Sequence, residues 1–178
     1  MSITYAVRVT VERRPATEEE ARTLASPLRL RILRLCLDVA LTNKEIAERL
    51  GRDPASVLYH VRRLVRTGFL VAEDERRGSR GAREVPYRST GKSWTLSIGE
   101  SEDPRLATST LVEAFVQDAT RVGFENVDGT RMGLRLTPDE YDELSRRMHE
   151  LVEEFRVRGT TGAPWSLFIG LHPDDRPV

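Results

Sequence analysis

Long apolar runs are missing from this chain, and so are most of the residues that carry reactive chemistry. No hydrophobic stretch approaches the ~18 residues that a membrane span needs. The N-terminus has no basic segment followed by an apolar core, so neither a membrane helix nor a signal peptide is expected. A single cysteine, Cys36, excludes an internal disulfide framework, and a cytoplasmic protein is the default expectation. The three histidines, His60, His149 and His172, are widely separated. With one thiol among them they do not make the set of several ligands that a tetrahedral metal site requires, so no metal is expected. There is no nucleophile elbow and no histidine pair at metal spacing. The glycines at 78 and 81 lack the Gly-Lys-Ser/Thr ending of a phosphate loop. Neither an enzyme nor a cofactor is expected.

Net charge is also missing, because 28 Lys+Arg balance 28 Asp+Glu. The balance hides a division. Residues 13–97 hold 18 basic and 11 acidic side chains, a net of +7, and the remainder holds 10 basic and 17 acidic, a net of −7. A basic segment joined to an acidic one fits a nucleic-acid module attached to something that does not touch nucleic acid.

The informative residues are concentrated in 42–70, TNKEIAERLGRDPASVLYHVRRLVRTGFL. Thr42 and Glu45 have the spacing of a capping box. Ile46, Ala47 and Leu50 then share one helical face, and Gly51 offers a left-handed stop. Asp53 with Pro54 is an N-cap followed by a proline at the first helical position. Val57, Val61 and Leu64 form the inward stripe of this second helix, Gly68 ends it, and Phe69 to Val71 opens a strand. Two helices around a turn of about three residues make a helix-turn-helix. The outward face of the second helix carries Ala55, Ser56, Leu58, Tyr59, Arg62 and Arg63. Such a face reads DNA in the major groove: Ser56 and Tyr59 can bond bases or phosphates, Leu58 can meet a thymine methyl, and Arg62 or Arg63 can bond guanine or a phosphate. The helix carries Arg62, Arg63 and Arg66, and three arginines alone favour a solvated helix with a basic face; the caps, the turn and an adjoining basic hairpin reverse that in favour of DNA.

That hairpin lies directly after the second helix. Extended segments near 69–76 and 83–89 flank Gly78, Ser79 and Gly81, with Arg76, Arg77, Arg80 and Arg83 clustered about the tip. Arginines beside a recognition helix can enter a minor groove or grip phosphates. Upstream, Ile3, Tyr5, Val7, Val9 and Val11 alternate with polar residues, which predicts a strand. Thr17 with Glu20 caps a helix to about Leu24. Ser26-Pro27 opens a further, strongly apolar helix running to near Ala40, with Cys36 inside it as a small core residue.

The segments LASPLRLRILRL, LTNKEIAERLG and ASVLYHVRRLVRTGFL together resemble the winged helix-turn-helix domain of the ArsR-like regulators, over about Thr17 to Thr90. The resemblance implies a homodimer that places one recognition helix in each half of an inverted-repeat operator in double-stranded DNA. It also implies repression by blocking a promoter. Carried over by position, Ser56, Leu58, Tyr59, Arg62 and Arg63 would contact DNA; the full set of candidate contacts adds Asn43, Lys44 and Ala55, and Arg76, Arg77, Arg80 and Arg83 on the wing. The cysteine pair or His/Asp/Glu set of the metal-sensing members is absent, and the C-terminal half exceeds the minimal domain.

That half reads as helix, strand, helix, strand. A helix runs from about Ser101 to Val122, with Leu111, Val112, Phe115, Val116, Ala119 and Val122 on one face. A strand comes next, at Met132, Leu134 and Leu136. Thr137 with Glu140 caps a helix whose inward face is Tyr141, Leu144, Met148, Leu151, Val152 and Phe155. Trp165, Leu167, Ile169 and Leu171 alternate as a last strand. Trp94, Tyr141, Phe155, Trp165 and Phe168 either line a pocket for an unidentified small-molecule effector or simply pack, the commoner fate of aromatics.

The expected fold class is therefore α+β: an N-terminal strand over 1–12, a winged helix-turn-helix over 13–97, and a small α/β dimerisation or effector domain over 98–178. The expected function is sequence-specific DNA binding in transcription regulation. The alternative is a winged-helix module that binds protein or RNA, because a fold does not dictate its use.

Overall fold

Capping chemistry decides where the helices begin. The computed structural model describes residues 14–78, 83–97, 104–158 and 161–174. The chain divides into two compact units, one over Val11–Glu125 and one made of Asn126–Val178 with Met1–Thr10. The strand predicted over residues 3–11 lies outside the described residues.

In the first unit, helix α1 spans Glu18–Leu24 and α2 Pro27–Leu35. The Thr17 hydroxyl accepts from the Glu20 N–H at 3.3 Å, and the Glu20 carboxylate accepts from the Thr17 N–H at 2.8 Å, as the spacing predicts. The apolar pattern predicts α2 to near Ala40; the helix stops at Leu35, with Cys36 as its C-cap rather than an interior residue. Past Leu35 the Leu37 N–H turns to the Arg34 carbonyl at 3.3 Å, and the Cys36 carbonyl is taken by the Ser89 N–H at 2.8 Å, joining the helix end to the sheet. Leu37 and Val39, whose apolar character favours a longer helix, are exposed. Cys36 itself is buried, and burial pushes its thiol pKa up to about 11, so the side chain is protonated at neutral pH and packs as a small hydrophobe.

Helices α3 (Asn43–Leu50) and α4 (Pro54–Arg66) come next. A three-stranded antiparallel sheet is ordered β2 (Leu41–Thr42), β6 (Pro86–Ser89), β3 (Leu70–Ala72). Leu70 pairs with Ser89 and Ala72 with Tyr87, while Leu41 takes the other side of Tyr87. Beyond the sheet, β4 (Arg76–Arg77) and β5 (Arg83–Glu84) continue the hairpin. This is a winged helix-turn-helix. The chain returns through a 3-10 turn at Lys92–Thr95 to β7 (Leu96–Ser97), which pairs in parallel with β1 (Arg14–Pro15). The core is shared by the four helices with β2, β3 and β7: Ile32, Ile46, Val57, Val61, Leu64 and Leu96 are fully buried.

Helix α5 (Pro104–Val122) belongs to this same unit and packs on α2 and α1. Arg34 reaches Asp118 at 2.8 Å. The predicted apolar stripe is only partly used: Ala119 is buried, but Val112, Val116 and Val122 are exposed. The stripe is wider than the strip of α5 that its neighbours cover.

One buried carboxylate ties the ends of the unit together. Glu20 accepts from Arg14 at 2.6 and 2.8 Å and from Lys92 Nζ at 2.8 Å. The same ammonium donates to the Thr67 carbonyl at 2.6 Å, at the end of α4. The Arg14 hydrogen bonds, opposed by burial and aided by Lys92 and the Thr17 N–H, hold the Glu20 carboxyl well below the usual carboxylate range. A lowered folded pKa stabilises the fold above the ordinary glutamate pKa and loses that contribution as pH falls toward the folded value. Urea midpoints followed from neutral to acid pH are therefore expected to fall less steeply in Glu20→Gln than in the parent. Parallel acid limbs would show that Glu20 contributes no such linkage.

In the second unit, α6 spans Pro138–Val157 behind the predicted capping box. The Glu140 carboxylate accepts from the Thr137 N–H at 2.8 Å, and Thr137 Oγ1 accepts from the Glu140 N–H at 3.3 Å. The predicted strands at Met132–Leu136 and Trp165–Leu171 are irregular segments instead, and their large apolar side chains are exposed, Trp165 at 87%. Alternation supplies a strand's two faces but not its hydrogen-bond partner, and no partner strand exists among the described residues of this unit. The βαβ arrangement expected for this half is thus replaced, among those residues, by one helix. Of its predicted inward face, Leu144, Met148 and Val152 are half-buried, while Tyr141, Leu151 and Phe155 are exposed. No helix among the described residues is long and apolar enough to cross a membrane.

Candidate nucleic-acid interface

The angle between α3 and α4 is held by backbone geometry and side-chain bonds as well as by the core. Thr42 Oγ1 accepts from the Glu45 N–H at 3.2 Å, and Glu45 accepts from the Thr42 N–H at 2.8 Å. Gly51 ends α3 at φ 62°, which a glycine adopts without the cost a Cβ would impose. Asp53 Oδ2 then accepts from the Ser56 N–H at 3.0 Å and starts α4. Asn43 Nδ2 donates to the Pro54 carbonyl at 2.8 Å, strapping the beginning of one helix to the beginning of the other. Val57, Val61 and Leu64 are fully buried, so the opposite face of α4 is forced outward.

On that face the predicted residues meet different fates. Ala55 and Ser56 are exposed, Tyr59 is 64% exposed, and Leu58 is half-buried. Arg62 is exposed and has no hydrogen-bond or ion-pair partner among the described residues. Arg63 is half-buried, and its Nε donates to Thr23 Oγ1 at 3.2 Å. Asn43 is occupied by its strap to Pro54. Lys44 is exposed, with Glu48 no nearer than 4.0 Å.

The wing arginines also divide. Arg76 Nη2 bonds both oxygens of Glu45 at 2.6 and 2.7 Å, so the carboxylate that caps α3 also holds the wing. Arg83 lies 3.6 Å from Glu75. Arg77 is exposed and stands directly opposite Arg83 in the β4–β5 register, a like-charge juxtaposition that a sheet disfavours. Arg80 lies outside the described residues. Because the Arg76–Glu45 pair is exposed, Arg76→Ala is expected to lower stability by less than about 1 kcal/mol, and the loss should shrink as salt is added. Thermal denaturation across a salt series measures this; a large loss independent of salt would contradict it.

Two further basic residues lie outside the predicted contacts, one of them, Arg66, on the same basic helix. Arg66, one turn beyond Arg62, is exposed and 3.4 Å from Glu19. Arg52, in the turn, is exposed without a partner among the described residues. The i+4 spacing from Arg62 could have found the first; nothing in the pattern points to the second. His60 is half-buried, edge-on to Tyr59 at 5.3 Å. Burial, then the Arg29 and Arg52 cations, lower its pKa, which keeps the imidazole neutral at pH 7.

Residues 24–72 match the family model for a helix-turn-helix domain. No curated protein matches the chain. Among solved structures, a mutant of Lactococcus lactis ZitR is similar at 22% identity, covering 72% of this chain and 73% of that one with a TM-score of 0.34. The multiple antibiotic-resistance repressor MarR from Listeria monocytogenes 4b F2365 is similar at 20% identity, covering 78% and 81% with a TM-score of 0.33. The transcriptional regulator SlyA is similar at 13% identity, covering 72% and 73% with a TM-score of 0.31. Likeness this distant leaves function to be argued from the geometry of the chain itself.

Proposed function

We propose that this chain is a cytoplasmic transcriptional regulator that binds double-stranded DNA sequence-specifically, acting as a homodimeric repressor of the ArsR-like kind without a metal site. The observation that carries the reading is α4. Its inner stripe is fully buried, while Tyr59 and Arg62 on its outer face are exposed, the arginine with no partner among the described residues. An unpaired guanidinium on a rigid convex helix has no structural task, and it suits a guanine edge or a phosphate. Arg77 and Arg83, opposed across the wing, add cationic charge alongside. Exposed Val112, Val116 and Val122 on α5 support pairing with a second copy, since a symmetric dimer matches the symmetry of an inverted repeat.

Selection of bound sequences from a random duplex pool by the full chain tests this. The expected product is an inverted repeat with half-sites about one or two helical turns apart. Enrichment of an asymmetric site would remove the homodimer. Failure to retain any duplex at low salt would remove DNA binding altogether and leave a protein or RNA partner for α4.

A further inference from the structure

Thr23 holds two arginines at one place. It is fully buried at the end of α1, and its hydroxyl donates to the Glu19 carbonyl at 2.7 Å. Its own carbonyl accepts from Arg29 Nε of α2, and its Oγ1 accepts from Arg63 Nε of α4 at 3.2 Å. Arg29 Nη2 is further fixed by the Arg22 carbonyl at 2.8 Å. Two guanidiniums from different helices are thus anchored by neutral oxygens alone, and neither has an acidic partner among the described residues. The α1 acids nearby in sequence are engaged elsewhere: Glu18 pairs with Arg22 and Glu19 with Arg66. Burial, and then the Arg63 cation, press the Arg29 pKa downward, as expected for like charges brought together without a counter-ion.

We propose that Arg29 and Arg63, joined through Thr23, form a binding site for one phosphodiester group of the DNA backbone, flanking the base-reading face of α4. The inference rests on the DNA-binding reading above and adds α2 to the interface. The Nε atoms are occupied, but Arg29 Nη1 and both Nη atoms of Arg63 have donors that no described group takes. A phosphodiester offers two anionic oxygens that accept from such donors. The site lies on the flank of α4: Arg63 is one helical turn beyond Tyr59, and Val61 and Leu64 on the adjoining face are buried. A contact at this flank fixes how the helix lies in the groove and carries no base preference, which is the role of backbone contacts.

The test is the salt dependence of duplex binding by the full chain, using a labelled random-sequence duplex and, separately, the selected site. Each phosphate contact contributes about 0.9 to the slope of log affinity against log salt. Because both arginines grip one phosphate, the double variant Arg29→Gln with Arg63→Gln is expected to reduce that slope by about 0.9 on both duplexes, and each single variant by part of that amount. Arg29→Lys keeps the charge but loses the fork that grips Thr23 and Arg22. It is expected to lower Tm while retaining the slope, which separates the electrostatic role from a purely structural one. Should Arg29→Gln lower Tm yet bind with the parental slope, Arg29 only braces α1 and the site is overturned. A parental slope in the double variant, with Arg62→Ala still weakening binding, overturns this site and leaves the DNA reading intact. If the parent binds no duplex, both fall together.

Discussion

Phe69→Ala is expected to lower the free energy of unfolding by about 3–5 kcal/mol, at the upper end of what one truncation can cost. Phe69 comes directly after Gly68, whose φ of 74° turns the chain from α4 into the sheet. Its N–H donates to the Leu64 carbonyl at 2.9 Å, and its carbonyl accepts from the Thr90 N–H at 3.0 Å. The ring is 1% exposed and belongs to the central cluster. Lys92 Nζ lies 5.1 Å above it, a cation–π contact worth about 0.5–1 kcal/mol more. With backbone bonds on both sides, the main chain has little freedom to collapse into the space the ring leaves. A domain stable by about 5–15 kcal/mol would lose a large part of that margin. Val71→Ala, two residues on and exposed, should change stability by no more than about 0.5 kcal/mol. Equilibrium urea unfolding compares the two; similar midpoints would mean that the ring does not bridge α4 and the sheet.

Arg62→Ala is expected to weaken binding to the selected duplex by about 1–3 kcal/mol, roughly 5- to 150-fold, with Tm unchanged. The lack of a Tm effect comes from the lack of a partner among the described residues: nothing buried is left unpaired when the guanidinium goes. The pattern of the loss identifies the contact. Loss confined to one base pair marks an arginine reading guanine, whereas uniform loss with a shallower salt slope marks a phosphate contact. Fluorescence anisotropy on the selected site and its single-base variants measures both. Unchanged affinity for every duplex would leave the exposed face of α4 without the function argued for it.

The helix-turn-helix is legible in the sequence because its determinants are local. Thr42 with Glu45, Gly51, and Asp53 with Pro54 act within a few residues of themselves, and the structure uses each as its chemistry suggests. The end of α2 is not legible, because what the chain does after Leu35 is fixed by a distant strand, whose Ser89 N–H bonds the Cys36 carbonyl. The alternating segments at Met132–Leu136 and Trp165–Leu171 show the same limit, since periodicity states a preference for two faces and says nothing of a neighbour. In the candidate interface, composition locates the arginines but not their attachments. Arg76 bonded to Glu45, Arg63 bonded to Thr23 and Arg62 bonded to nothing described read alike as letters. They differ only once α1, α3 and the wing are folded around them.

The carboxylate that begins α4 has a consequence for how a polyanion meets the helix. The leading end of an α-helix is electropositive and ordinarily welcomes a phosphate. Asp53 already sits there, bonded to the Ser56 N–H, and its negative charge repels any second anion from that tip. Attraction is shifted sideways, onto the arginines that begin two turns further along. On the DNA-binding reading proposed above, the phosphates are expected along the arginine flank of α4 and not at its tip, and replacing Asp53 by a neutral cap is expected to let an anion approach end-on.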